Sequence, residues 1–117
     1  MLIAYESTDD FAARAGSTGK DRQGQYWTDW ETFGQSLSQA GVCLSMHGLQ
    51  SAETASTVRL HSGQRQVIDQ PYAMAADQIG GYFILEVPDR EVALEWAARC
   101  PAAVRGAVEI RPLLERA

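Results

Sequence analysis

With two cysteines and two histidines in 117 residues, the chain has little from which to build a disulfide scaffold or a metal centre. Cys43 and Cys100 lie far apart, and neither has a histidine at ligand spacing, so no metal site is expected. Both thiols read as small buried hydrophobes of a reducing compartment. Basic residues are also scarce: 10 Lys and Arg stand against 15 Asp and Glu, for a net charge of −5. That balance gives no electrostatic footprint for nucleic acid or an anionic membrane surface. No apolar run approaches the roughly 18 residues of a membrane span. The opening residues, Met1 to Glu6, lack the basic start and apolar stretch of a signal peptide, so a cytoplasmic location is expected. The glycine patterns of dinucleotide and phosphate loops and of the nucleophile elbow are missing too. Nucleotide and acyl-transfer chemistry therefore have no support, and no cofactor is expected.

The apolar and charged fractions, 45% and 21%, are those of an ordinary globular protein. The length suits one domain, 1–117, with a core that needs no staples. Leu2 to Tyr5 is a short apolar run that reads as a buried first strand. Ser7 or Thr8 can cap a short helix, Asp9 to Arg14, and the small residues Ala15 to Gly19 make a loop. From Lys20 to Ala40 the period becomes helical. Tyr26, Trp27, Trp30, Phe33, Gly34 and Leu37 form one apolar stripe, and Gly41 sits at the position of a glycine cap. The stripe reads as core, so Trp30 and Phe33 are expected to pack on a sheet; Trp30 is also the stripe's candidate for lining a ligand site.

Val42 to His47 reads as a strand with Val42, Leu44 and Met46 on one face and Cys43, Ser45 and His47 on the other. Gly48 to Ser56 is polar loop. The runs 57–61 and 64–68 flank Ser62-Gly63, the spacing of a hairpin. Gly80-Gly81 opens a strand from Tyr82 to Val87, and Pro88 stops it. Asp89 caps a helix from Arg90 to Cys100, Pro101 ends it, and Ala107 to Arg111 is the last strand. With the hairpin set aside as an insertion, the order is βαββαβ, an α+β ferredoxin-like fold with both long helices on one face of an antiparallel sheet. The expected central strands, Leu2–Tyr5 and Tyr82–Val87, are apolar on both faces. Helices cover only one face, so the other is expected to pack sheet to sheet against a second copy in a twofold homodimer.

With those elements in place, the chain resembles the YCII-related family, in particular its Asp-Gly-Pro-Phe (DGPF) branch. The likeness runs from Leu2-Ile3-Ala4-Tyr5 through Ala40-Gly41-Val42, Gly48-Leu49-Gln50 and Thr57-Val58-Arg59. It continues in Gln78 to Phe83, Ala93 to Ala97 and Val108 to Pro112. Asp69-Gln70-Pro71-Tyr72 occupies the motif position, with Gln70 for the glycine and Tyr72 for the phenylalanine. Glutamine before proline still accepts extended geometry. Where the branch commonly has Glu-Thr-Lys-Glu, this chain has Met74-Ala75-Ala76-Asp77. The resemblance implies a dimeric α/β barrel of ferredoxin-like subunits from bacteria, mostly without known function. Some wider relatives are similar to enzymes acting on aromatic compounds, with a His/Asp pair suspected as their site.

The residues themselves offer few groups for chemistry. Asp69 is the first candidate for a general base, against the alternative that it pins the turn before Pro71 through backbone N–H groups. His47, at a strand end, suits proton transfer near neutrality, whereas His61 on the polar hairpin reads as solvated. Tyr5 and Tyr72 can orient a ligand hydroxyl or simply pack with their OH groups in water. Two functions follow from this set. One is a module that binds a small molecule, or a partner, in a pocket near Asp69. The other is a cofactor-free enzyme using Asp69 and His47 on a small, perhaps aromatic, ligand.

Overall fold

In the computed structural model, which describes residues 1–115, the first strand β1 (Leu2–Glu6) runs one residue further than its apolar stretch. Leu2, Ala4 and Glu6 alternate with Ile3 and Tyr5, so the acid shares the buried face of the strand. Ser7 turns the chain into α1 (Thr8–Ala15), its hydroxyl accepting from the Asp10 N–H at 3.1 Å. Helix α2 (Lys20–Ala40) ends at Gly41, whose φ of 70° permits the left-handed cap that closes it.

The strand β2 (Cys43–Gly48) leads through a short 3₁₀ turn, Ala52–Thr54, to the hairpin β3 (Thr57–His61) and β4 (Gln64–Ile68). Ser62 and Gly63 both have positive φ, the primed turn that a two-residue hairpin needs. The strand β5 (Gln78–Leu85) starts four residues before Tyr82 and stops short of Val87. It is followed by α3 (Arg90–Arg99), capped by Asp89 accepting from Val92 N–H at 2.9 Å, a single turn α4 (Ala102–Arg105), and β6 (Ala107–Ile110). The 3₁₀ turn and α4 carry too few residues to show a period, so only tertiary contacts reveal them.

The main sheet has the order β2-β5-β1-β6, all antiparallel, and β1 and β5 are central. This is the ferredoxin-like α+β arrangement, with β3-β4 as a separate two-stranded sheet. Leu2, Ala4, Phe33, Leu37, Phe83, Trp96, Ala97, Cys100 and Ala102 form the core between sheet and helices. Full burial of a side chain such as Leu2 or Leu37 stabilises by about 1.5–3 kcal/mol. Trp30 stacks on Phe83 with ring centres 5.9 Å apart, and Phe33 meets Phe83 edge-on at 5.3 Å. The stripe does pack on the sheet.

A bulge between Cys43 and Ser45 changes the facing of β2. Cys43 pairs with Leu85 and packs against the core, whereas Ser45 and His47 pair with Ile84 and Tyr82 on the far face. Cys43 therefore does not share a face with His47, because the extra residue, Leu44, resets the alternation. On that far face lie Ile3, Tyr5, Ile79, Tyr82 and Ile84, partly buried or exposed and uncovered by any helix of the described residues. The hairpin is exposed at every residue except Thr57. These features make the chain a slab of 49 × 48 × 18 Å with a radius of gyration of 16.1 Å. A compact domain of this length has about 13 Å.

Candidate functional site

Between the sheet and the α1–α2 pair lies a cleft of about 610 Å³, with the segment 49–51 also lining it. Its walls are largely apolar and aromatic: Phe11, Trp27, Trp30, Met46 and Phe83. Two charged side chains of opposite sign reach it, Glu6 and Arg14.

Glu6 stands at the inner end, 1% exposed. It is held there by neighbours on three elements. The Tyr26 hydroxyl, from α2, donates to Oε1, and Arg14 Nη2, from the last turn of α1, donates to Oε2 at 2.5 Å. Arg14 Nε in turn donates to the Tyr26 oxygen at 3.0 Å, which closes a ring of three side chains. The third neighbour is Gly80. The register of β5 against β1 slips between Ala4 and Tyr5, leaving Gly80 as the extra residue opposite. A Cβ on Gly80 would lie 1.6 Å from Glu6 Oε2, so only glycine leaves room for the carboxylate. The Gly80 carbonyl accepts from Arg14 Nη2 at 3.2 Å and from Leu49 N–H at 2.8 Å. Arg14 Nη1 donates to the Leu49 carbonyl, so one guanidinium ties α1, β1, β5 and the loop after β2 together. Bulges recur beside functional sites because they re-aim groups in this way.

Burial raises the Glu6 pKa above its ordinary value; the Tyr26 and Arg14 contacts oppose that rise, and nearby Asp10 adds to it. Burial and the bond to Glu6 push the Tyr26 hydroxyl up as well. Asp10 is itself buried and paired with Arg105 Nε at 2.7 Å. Arg14 differs from Glu6 in access: its side chain is 17% exposed, and its guanidinium carbon lies 4.7 Å from the Phe11 ring centre and 6.0 Å from that of Trp27.

The structure brings one predicted side chain to this cleft, Trp30, which forms part of its wall. His47 also lines it, but strand alternation puts its ring on the far face, 5.6 Å from the Tyr82 ring, and leaves its main chain on the cleft side. Tyr5 is on the far face too, opposite Ala107 and Ile79. Asp69 and Tyr72 follow the hairpin and do not line the cleft. Asp69 accepts from the Ser56 hydroxyl at 3.1 Å rather than from backbone N–H groups, and both residues are exposed. Tyr72 is 74% exposed, with the Arg59 guanidinium 5.9 Å above its ring. Glu6, Arg14, Tyr26 and Gly80 went unread as site residues. Glu6 alone left a signal, being the one acid in phase with Leu2 and Ala4. Among the described residues, no three His, Cys, Asp or Glu side chains are grouped to hold a metal ion, and no helix is long and apolar enough to cross a membrane.

An antiparallel ferredoxin-like sheet with an aromatic cleft under its helices defines a small α+β cleft protein. The family model of the YCII-related domain matches residues 13–116, and the chain belongs to the YCII-related family. No curated protein matches it.

Proposed function

We propose that this YCII-related protein is a small-molecule-binding module whose ligand lies in the cleft between the sheet and α1–α2. One observation carries the reading: an aromatic-walled cleft of about 610 Å³ with a buried, fully bonded Glu6–Tyr26–Arg14 ring at its inner end. Ligand pockets commonly combine apolar walls with a few fixed polar groups. Trp27 and Trp30 on the wall make tryptophan fluorescence the direct assay. Titration with small planar aromatics should quench it saturably, and Trp30→Ala should weaken the quenching. A linear, unsaturable response across the series would refute the reading.

The same proposal includes a homodimer joined through the far face of the sheet. Ile3, Tyr5, Ile79, Tyr82 and Ile84 support it, since no helix covers them. That interface leaves the cleft open, because the two lie on opposite sides of the sheet. It would also cover His47, and any pocket at the exposed Asp69 and Tyr72 would need a second subunit beside the hairpin. Acid/base chemistry by Asp69 and His47 would need that pocket. Sedimentation equilibrium at micromolar concentration should give twice 12.8 kDa; a mass of 12.8 kDa alone would refute the dimer.

A further inference from the structure

Of the two charged side chains in the cleft, one is sealed and the other presents surface. Glu6 is 1% exposed with both oxygens taken by Tyr26 and Arg14, so it offers a ligand nothing. Arg14, 17% exposed among Phe11, Tyr26 and Trp27, gives four of its five guanidinium N–H groups to Tyr26, the Leu49 carbonyl, Glu6 and the Gly80 carbonyl, and the remaining Nη1 N–H is the charged donor left for a bound molecule. Its complement is an anion, and the aromatic rings beside it complement a planar apolar body. We infer that the cleft takes a small aromatic acid, its anionic group on Arg14, and that Glu6 takes up one proton from solvent as the acid binds.

The proton follows from charge balance. Empty, the site is neutral, with one carboxylate against one guanidinium. A second anion on the same cation would place two negative charges against one positive beside the buried Glu6, where like charges disfavour joint ionisation. The remaining groups around Glu6 do not relieve this. Asp10 on α1 is a further acid, though Arg105 pairs with it. Tyr26 on α2 and Cys100 at the end of α3 are neutral groups with raised pKa values, and β5 contributes only the backbone of Gly80. Glu6 shares Arg14 with the incoming anion, and burial disfavours its charge, so it is the group that takes the proton. The proton goes to Oε2 while Oε1 still accepts from Tyr26; the new O–H then faces Arg14 Nη2 donor to donor, so that N–H is released from Glu6 to the incoming anion.

This inference rests on the cleft being the binding site, and the experiment separates the two. Benzoate and its neutral analogue benzyl alcohol are titrated into the full chain by calorimetry, in two buffers of different ionisation enthalpy, from about pH 5.5 to 8. Benzoate stays ionised across that range. It should bind with net uptake of up to one proton, and more weakly as pH rises, by up to about tenfold per unit. Benzyl alcohol should bind without a proton and without a slope. Glu6→Gln should flatten the benzoate profile and tighten binding at pH 8, and Arg14→Gln should abolish the preference for benzoate. If both ligands bind alike, or benzoate takes up no proton, the inference is overturned while the cleft reading stands. If neither binds, both fall. The proton count is measured on the unmodified chain, so it decides the matter even if a variant fails to fold.

Discussion

Replacing Gly80 with alanine tests the buried ring from a position beside it where only a hydrogen is tolerated. The added Cβ would sit 1.6 Å from Glu6 Oε2, 2.6 Å from its Cδ and 2.9 Å from Arg14 Nη2. To reach van der Waals distance the carboxylate must retreat by about 2 Å. A surface glutamate would swing aside at little cost. Glu6 is sealed between Tyr26, Arg14 and the strand, so retreat breaks its bonds to both. Breaking a buried ion pair costs about 3–5 kcal/mol, out of the roughly 5–15 kcal/mol that holds a domain of this size together. Urea unfolding at fixed protein concentration should show a loss of about 3–5 kcal/mol for Gly80→Ala. Glu6→Ala should lose a similar amount. Their double variant should lose hardly more than either, because the new methyl occupies the space the carboxylate left. The coupling in that cycle would then be about 3 kcal/mol. A Gly80→Ala protein within about 1 kcal/mol of wild type, or two losses that simply add, would refute the reasoning.

The raised pKa of Glu6 predicts the sign of a pH effect. Its charged form is disfavoured by folding, so the penalty is absent below the unfolded pKa of about 4.3 and full above the higher folded value. Stability relative to Glu6→Gln should fall as pH rises through that window; a rise in denaturation curves from pH 4 to 8 would contradict it. Trp30→Ala should cost about 3 kcal/mol, the low end for a large aromatic truncation, because the ring is stacked on Phe83 yet only partly buried; a loss under 1 kcal/mol would mean a wall without a structural role. Asp69→Ala should stay within about 1 kcal/mol of wild type in the same assay, since its one side-chain bond, to Ser56, is solvent-exposed. The Cys100 thiol, pushed up to about 11 chiefly by burial, should resist iodoacetamide in the native protein while partly exposed Cys43 reacts; mass spectrometry of the labelled peptides would show a reversed order at once.

Local signals were enough for most of the fold. The apolar run at Leu2, the stripe from Tyr26 to Leu37 closed by Gly41, the Ser62-Gly63 turn and the Asp89 cap each act over a few residues, and each element stands where its signal put it. Their order alone implied the antiparallel sheet with β1 and β5 at its centre. Facing and convergence were not legible in this way. The bulge at Leu44 moved Cys43 off the face of His47, and the hairpin carried Asp69 and Tyr72 away from the cleft. Neither event has a local signature, because a bulge is set by the partner strand and a hairpin's direction by what it meets in space. The ring of Glu6, Arg14, Tyr26 and Gly80 joins residues up to 74 positions apart, from four elements. In the sequence they read as a strand-end acid, a helix-end base, one aromatic of a core stripe and half of a glycine pair. Only the packing of α1 and α2 over the β1–β5 register brings them within hydrogen-bond distance, and burial there is what raises the pKa of an otherwise ordinary glutamate.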